Sequence, residues 1–314
     1  MYNEFMYHFI VNIAGGSGKA KKTWDKVSSL LDKNNIEYTL HKSEYAGHAK
    51  VIAKELSEGF DECKLVVVGG DGTINEVLNG ICDFSKIRFG VIPTGSGNDF
   101  SRGLKIPRHS YNIKKALNNI LNSSDSKVMD LGLLRLDSGK KFVFGISSGI
   151  GMDAIVCKKT ITSKLKVFLN KIHLGKLVYV ILTVQTLFSM KTTNAKIKFD
   201  DEESIDVDKL IFFAAMNLKA EGGGVKMAPK SVYDDDKLCS CLAYGIPKWI
   251  TFFCLPLLVL GLHSKLKGFV VKKFSKAEIT LNDSFTVHTD GEYIEESNHV
   301  VFECIPSKLK LLMK

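Results

Sequence analysis

The chain has 314 residues, a formal net charge of +9 and a pI near 9.0, with 45% hydrophobic and 25% charged residues. This is globular composition, long enough for two domains with separate cores, and it excludes a disordered or fibrous chain. The positive charge points toward an anionic partner, for which nucleotide phosphates, nucleic acid and an acidic lipid surface all qualify.

In chain order, Phe9-Ile10-Val11 forms a short apolar strand. A Gly-rich turn and a polar helix over about 20–34 follow, then a second strand over 36–40. Ala49, Ile52, Ala53 and Leu56 recur at helical spacing. Leu65-Val66-Val67-Val68 is a continuous apolar run, β-branched from Val66 to Val68, of the kind buried on both faces of a parallel sheet. It leads into Gly69-Gly70-Asp71-Gly72-Thr73 and a helix bearing Ile74, Val77, Leu78 and Ile81. Residues 89–92 form another buried strand, ending in a Gly-rich turn at 93–97. Strands alternating with helices predict a parallel sheet wound by right-handed crossovers.

Beyond about Asp130 the pattern changes to short alternating runs, at 196–199, 210–215, 277–281 and 300–304. They predict an antiparallel β domain with a helical insertion around 158–190. The apolar stretches 177–188 and 250–262, the latter broken by Pro256, are too short to span a bilayer. The start of the chain has no secretory pattern, since Phe9-Ile10-Val11 runs straight into polar Asn12. Seven cysteines include no Cys-x-x-Cys pair and read as reduced cytosolic thiols, without a disulfide framework or zinc site. His48, at a helix start, and His288, before an Asp-Gly turn, read as structural.

Two Gly-rich turns each follow a buried strand and precede a helix, which puts them at the carboxyl edge of the sheet where open α/β folds bind ligands. Without side chains, their N–H groups can approach phosphate oxygens, and the helix N-terminus adds positive potential. Asn12 to Lys19 offers a third such loop, although its glycine spacing is not that of a Walker A sequence. Asp71 lies on one turn and Asn98 and Asp99 on another, which favours a nucleotide site over simple tight connections.

The run Gly69-Gly70-Asp71-Gly72-Thr73-Ile74-Asn75-Glu76-Val77, with Pro93-Thr94-Gly95-Ser96-Gly97-Asn98-Asp99-Phe100-Ser101-Arg102, resembles the diacylglycerol kinase catalytic family, which includes bacterial soluble lipid kinases and sphingoid-base kinases. Gly-Gly-Asp-Gly-Thr alone is shared with NAD kinases and phosphofructokinases. Asp130-Leu131-Gly132, the stretch 222–235 and Asp290-Gly291-Glu292 extend the resemblance over nearly the whole chain.

The resemblance implies an α/β nucleotide-binding domain over 1–133, a β-rich sandwich-like lipid-substrate domain over 134–302, and a last segment, 303–314, returning to the first. It places the ATP site in the cleft between the domains. It implies ATP contacts at Asn12, Ile13, Ala14, Gly15, Gly16, Lys19, Ser43, Gly70, Asp71, Gly72, Thr73, Ile74, Asn75, Glu76, Thr94, Asn98 and Asp99. Asp71 and Asp130 would organise a catalytic Mg²⁺, and Asp290 and Glu292 would be the catalytic carboxylates. A lipid alcohol is not acidic, so a nearby base must take its proton. Read alone, Asp290-Gly291 is a hairpin turn; within the family pattern it carries catalysis. A structural Mg²⁺ is implied at Asp235, with the carbonyls of Val232 and Lys237. Four departures stand out. The first loop lacks the proline usual after Asn12 and is longer, Ser43 and Ser96 replace threonines, and Asp236 stands where glycine is usual.

From 154 to 199 there are nine lysines and no acidic residue. Within it Ile161, Leu165, Phe168, Leu169 and Ile172 fall at helical spacing among Lys158, Lys159, Lys164, Lys166 and Lys171, a basic amphipathic helix suited to an anionic phospholipid surface. Packing of that apolar stripe on the β domain is the other reading. Lys265, Lys267, Lys272, Lys273 and Lys276 form a second cluster. No nucleic-acid motif is present. The expectation is thus an ATP- and Mg²⁺-dependent diacylglycerol kinase, cytoplasmic and peripheral to the inner face of the membrane. Another lipid alcohol (a sphingoid base or a glycolipid) and a catalytically silent binding protein are the alternatives. Edge strands in the β domain leave a homodimer open.

Overall fold

The computed structural model describes residues 6–13, 18–108, 110–123, 127–162 and 175–314. The chain divides into two compact units, Met1–Leu131 with Pro306–Lys314, and Gly132–Ile305.

In the first unit the apolar runs become β1 (Tyr7–Asn12), β2 (Tyr38–Ser43), β3 (Cys63–Gly69) and β4 (Ile87–Pro93). They pair in parallel in the order β4-β3-β1-β2, and Lys310 and Leu311 add in parallel beside Arg88 and Phe89. The crossovers carry α1 (Lys19–Lys33), α2 (His48–Gly59), α3 (Asp71–Leu78), α4 (Asp99–Gly103) and α5 (Ile113–Leu121). Val27 and Leu31 of α1, with Ile113, Leu117 and Ile120 of α5, recur every three or four residues and bury against Phe9, Val11, Val66 and Val68. Each fully buried side chain of this kind contributes about 1.5–3 kcal/mol.

Two local expectations shift. The second strand starts at Tyr38 instead of 36, because Ile36 N–H closes back on Leu31 O while Asn35 takes the left-handed conformation, φ 50°. The helix expected after Gly69-Gly70-Asp71-Gly72-Thr73 already opens at Asp71, as α3.

In the second unit β5 (Val128–Leu136), which enters from the first, pairs with β6 (Lys141–Phe144). The remaining strands are β7 (Ser147–Gly151), β8 (Thr193–Phe199), β9 (Ile205–Met216), β10 (Leu238–Tyr244), β11 (Phe269–Val270), β12 (Lys273–Phe274), β13 (Lys276–Thr289) and β14 (Glu292–Leu311). Neighbours in the run β10-β9-β7-β13-β14 are antiparallel, and β8 pairs with both β9 and β13. Along β8 alternate residues are buried, the signature of a sheet with one face on a core. That core centres on Phe199, Phe213, Phe274 and Phe302, whose ring centroids lie 5.5–6.2 Å apart.

The predicted helical insertion is α6 (Met152–Thr162) and α7 (Gly175–Ser189). Residues 163–174, which hold Lys164, Leu165, Lys166, Phe168, Leu169, Lys171 and Ile172, lie outside the described residues, as does the side chain of Ile161. The apolar stretch over 250–262 is α8 (Lys248–Leu260), continuous through Pro256. Among the described residues no helix is long and apolar enough to cross a membrane.

Candidate active site

The carboxyl ends of β1, β2, β3 and β4 carry Asn12, Ser43, Gly69 and Pro93 side by side. Asn12 Nδ2 donates to Thr73 Oγ1 at 3.0 Å, and Thr94 N–H donates to Gly69 O at 2.8 Å, which ties the strand ends and turns together. Ser43 is buried. The two Gly-rich turns touch: a Cβ on Gly95 would lie 2.8 Å from Gly70 Cα, and one on Gly70 would lie 3.1 Å from Gly95 Cα. Only residues without side chains permit that approach.

Asp71 organises this contact. Its carboxylate accepts from the N–H groups of Asp99 at 3.0 Å and Phe100 at 3.1 Å, at the start of α4. Burial pushes the Asp71 carboxyl up, opposed by the Phe100 N–H, the Arg102 guanidinium and the backbone of Asn98. Arg102 is ion-paired with Asp99 and donates to Gly97 O at 3.0 Å. Asn98, left-handed at φ 50°, donates to Gly95 O at 2.8 Å, while its Oδ1 is buried with no hydrogen-bond partner among the described residues. Such an orphaned acceptor beside a Gly-lined cradle suits a ligand that brings a donor or a hydrated cation.

Of the other expected contacts, Thr73 and Asn75 are buried on α3, and Gly72 and Glu76 are half-buried there. Ile74 is buried with its N–H on Gly70 O, so it packs the core behind the turn. Ile13 follows Asn12, and Lys19 is exposed at the start of α1. Ala14, Gly15 and Gly16 lie outside the described residues. Asp130, fully buried on β5, accepts the Ser307 N–H at 2.6 Å and so anchors the returning terminus.

In the second unit Asp290 and Gly291 form the two-residue turn between β13 and β14, with φ of 49° and 86°. Positive φ at both central residues marks a type I′ hairpin, which Asp-Gly favours. The Asp290 carboxylate faces inward and accepts three backbone N–H groups, from Ile146 at 2.7 Å and from Gly145 and Ser147 at 3.0 Å. Its own N–H donates to Ser147 O at 2.7 Å. Two carboxylate oxygens offer about four acceptor positions, so three are used in holding the turn. Glu292, two residues on, is exposed.

Beside this turn lies a polar group that the sequence did not single out as a site. His288 Nε2 is 3.2 Å from Asp153 Oδ2 at the start of α6, and Gly291 N–H donates to His288 Nδ1 at 3.3 Å. An acceptor at Nδ1 leaves the imidazole proton on Nε2, donated to Asp153. Glu221 joins through a bond from Ser147 Oγ, and burial pushes its carboxyl up, against the pull of His288. Donor atoms of Asp153, Glu221 and His288 lie within 4.8 Å of one another, close enough for one cation. With Nε2 protonated the trio is a hydrogen-bonded network tied to the Asp290 turn. The signal for it was Gly149-Ile150-Gly151-Met152-Asp153, another glycine-bearing strand-to-helix junction ending in a carboxylate.

At the expected structural metal position, Asp235 is ion-paired with Lys273 and its Oδ1 is buried without a partner among the described residues. A buried carboxylate oxygen without a partner is the kind of hard donor that suits a cation such as Mg²⁺. Val232 is exposed and Lys237 half-buried. Asp236 adopts φ 59°, which explains why glycine suits that position.

The family model described as the diacylglycerol kinase catalytic domain matches residues 6–134, and that described as the YegS C-terminal NAD kinase beta sandwich-like domain matches 147–313. The diacylglycerol kinase of Bacillus subtilis (strain 168) is 28% identical over 288 residues, covering 90% of this chain and 88% of its own. A diacylglycerol kinase crystal structure from Bacillus anthracis str. Sterne superposes with a TM-score of 0.69 at 18% identity, over 100% of this chain and 98% of that one. An NAD kinase from Archaeoglobus fulgidus, solved in complex with ATP, superposes with a TM-score of 0.52 at 15% identity, over 97% of this chain and 92% of its own. These two structural likenesses concern the fold.

Proposed function

We propose, for a chain that belongs to the diacylglycerol kinase catalytic family with its NAD-kinase-like β-sandwich domain, that it transfers the γ-phosphate of ATP to the hydroxyl of a membrane-borne lipid, diacylglycerol first among candidates. As a member of a kinase family it is a nucleotide-using phosphotransferase. The observation that carries the reading is the contact of two Gly-rich turns at Gly70 and Gly95, organised by Asp71 at the carboxyl edge of a parallel sheet.

In that arrangement the backbone of the two turns and the N-terminus of α3 receive the phosphates, since charge stabilisation and positioning dominate phosphoryl transfer. Asp71 and Asp130 are the residues we assign to a catalytic Mg²⁺, which when bound offsets phosphate charge. Asp235 we assign to a structural Mg²⁺. Asp290 and Glu292 are the carboxylates we assign to the lipid hydroxyl, one of them taking its single proton as its oxygen bonds to phosphorus and ADP leaves. The His288–Asp153 link positions their turn.

The test is transfer of labelled γ-phosphate to a panel of lipids in mixed micelles, with and without Mg²⁺, with NAD as a soluble acceptor. Label in phosphatidic acid supports the reading in full. Label in a sphingoid base or glycolipid keeps the mechanism and changes the substrate. Label in no lipid, with ATP bound, removes the lipid-kinase reading.

A further inference from the structure

Helix α8 is built inside out for a helix on a water-facing surface. Its exposed positions are Trp249, Phe252, Phe253, Pro256, Val259 and Leu260, a single stripe at helical spacing, with Ile250 exposed at its margin, while Thr251 and Leu258 face inward. An amphipathic helix in water places its polar residues on that outer stripe. Here Trp249 is 62% exposed, Phe253 68% and Leu260 59%. Helix α7 adds Val180, Ile181 and Phe188, all exposed. The helices adjoin, with Phe188 and Phe252 ring centroids 6.2 Å apart and Lys248 Nζ donating to Phe188 O at 3.2 Å. Of the fifteen large hydrophobic side chains exposed among the described residues, ten lie on these helices or at Leu262 just beyond. Scattered apolar side chains are ordinary, but a contiguous patch marks an interaction surface.

The chain around the patch is basic. From 237 to 277 there are seven lysines and no acidic residue, and Lys191, Lys265 and Lys267 are exposed close in sequence to the two helices. The lysines of the expected docking helix that are described serve elsewhere: Lys158 pairs with Glu296 at 2.8 Å, and Lys159 donates to Thr186 at 3.0 Å. Lys272, Lys273 and Lys276 likewise pair with Glu202, Asp235 and Glu303.

We propose that the outer faces of α8 and α7 insert shallowly into an anionic lipid surface. The inference deepens the lipid-kinase reading and rests on it for the choice of a lipid surface over a protein. An apolar stripe carrying Trp and flanked by lysines matches the boundary between acyl chains and acidic head groups. A second copy of the chain is the poorer occupant, since stacking two such faces brings their lysines together.

The chain has two tryptophans, Trp24 and Trp249, so W24F leaves Trp249 as sole reporter. With vesicles of phosphatidylglycerol and phosphatidylcholine, the emission of Trp249 shifts to the blue and is quenched by brominated acyl chains. Unchanged emission overturns the proposal. Co-sedimentation of F253E/L260E, in a background with both tryptophans, falls by roughly tenfold or more, given the cost of charge in the acyl region. Undiminished binding of that variant overturns it, as does a self-association that the variant abolishes in a protein that binds no vesicles.

Activity separates this inference from the reading beneath it. F253E/L260E keeps transfer to a short-chain, water-soluble diacylglycerol and loses it on vesicles. Wild-type transfer that F253E/L260E leaves intact on vesicles overturns docking and keeps the kinase. Vesicle binding that needs Phe253 and Leu260, in a wild type that phosphorylates no lipid, keeps docking and removes the kinase.

Discussion

Asp290 is at once a turn residue and a candidate reacting group, and the two roles can be separated experimentally. Alanine there leaves three buried N–H groups without their acceptor, each costing about 1–3 kcal/mol. D290A is therefore expected to lower the melting temperature by roughly 5–10 °C as well as to cut turnover by about 10²-fold or more. ATP affinity, measured by calorimetry, stays near wild type because the Gly-rich cradle is untouched; parallel loss of ATP binding would assign Asp290 a purely structural role. His288 acts one bond away. H288N keeps an acceptor close to Nδ1 for the Gly291 N–H, whereas H288L keeps none. The expected result is a lower kcat with little change in the KM for ATP in H288L, and partial recovery in H288N. Equal kcat in the two variants would detach His288 from the turn.

At the scale of elements, the decisive feature is the approach of two strand-to-helix turns. G95A places a Cβ 2.8 Å from Gly70 Cα, where only a backbone shift relieves the clash. It is expected to weaken ATP binding by about tenfold or more, since oriented amides lose their aim within an ångström. G59A supplies the control: it ends α2 with nothing within 4 Å of the added carbon, so stability stays within about 0.5 kcal/mol and ATP affinity is unchanged. Equal ATP affinities in G95A and G59A would disconnect the turn contact from the nucleotide. Helix α8 teaches the opposite lesson. Its pattern is apolar nearly all round, so the sequence marks no inner face, and only the fold reveals which stripe faces out.

For the molecule as a whole, stability should depend on pH through a histidine remote from the chemistry. His8 on β1 stacks on His41 of β2, and burial, aided by the His41 charge, lowers its pKa from 6.5 to about 4. A depressed value means that the unfolded chain takes up the proton first. The native state therefore holds its full advantage above about pH 6.5 and loses it as pH falls toward 4. A Tm–pH profile in which H8F is flatter than wild type over that window is the expected outcome. Identical profiles would show that His8 is charged in the folded state.

Sequence alone determined most of the first unit and the class of the second. Unbroken β-branched runs such as Val66-Val67-Val68 admit few fates besides a central strand, and glycine turns after them mark the carboxyl edge of the sheet, the edge where open α/β folds bind ligands. The alternation along β8 equally marked an antiparallel sheet with one buried face. Tertiary structure decided what depends on residues far apart in the chain. It brought the Asp290 carboxylate to the N–H groups of Gly145, Ile146 and Ser147, and linked His288 to Asp153 across 135 positions. It also turned the aromatic side of α8 outward. Local patterns encode periodicity and turn chemistry, whereas convergence and exposure follow from how whole elements pack, which no short window contains.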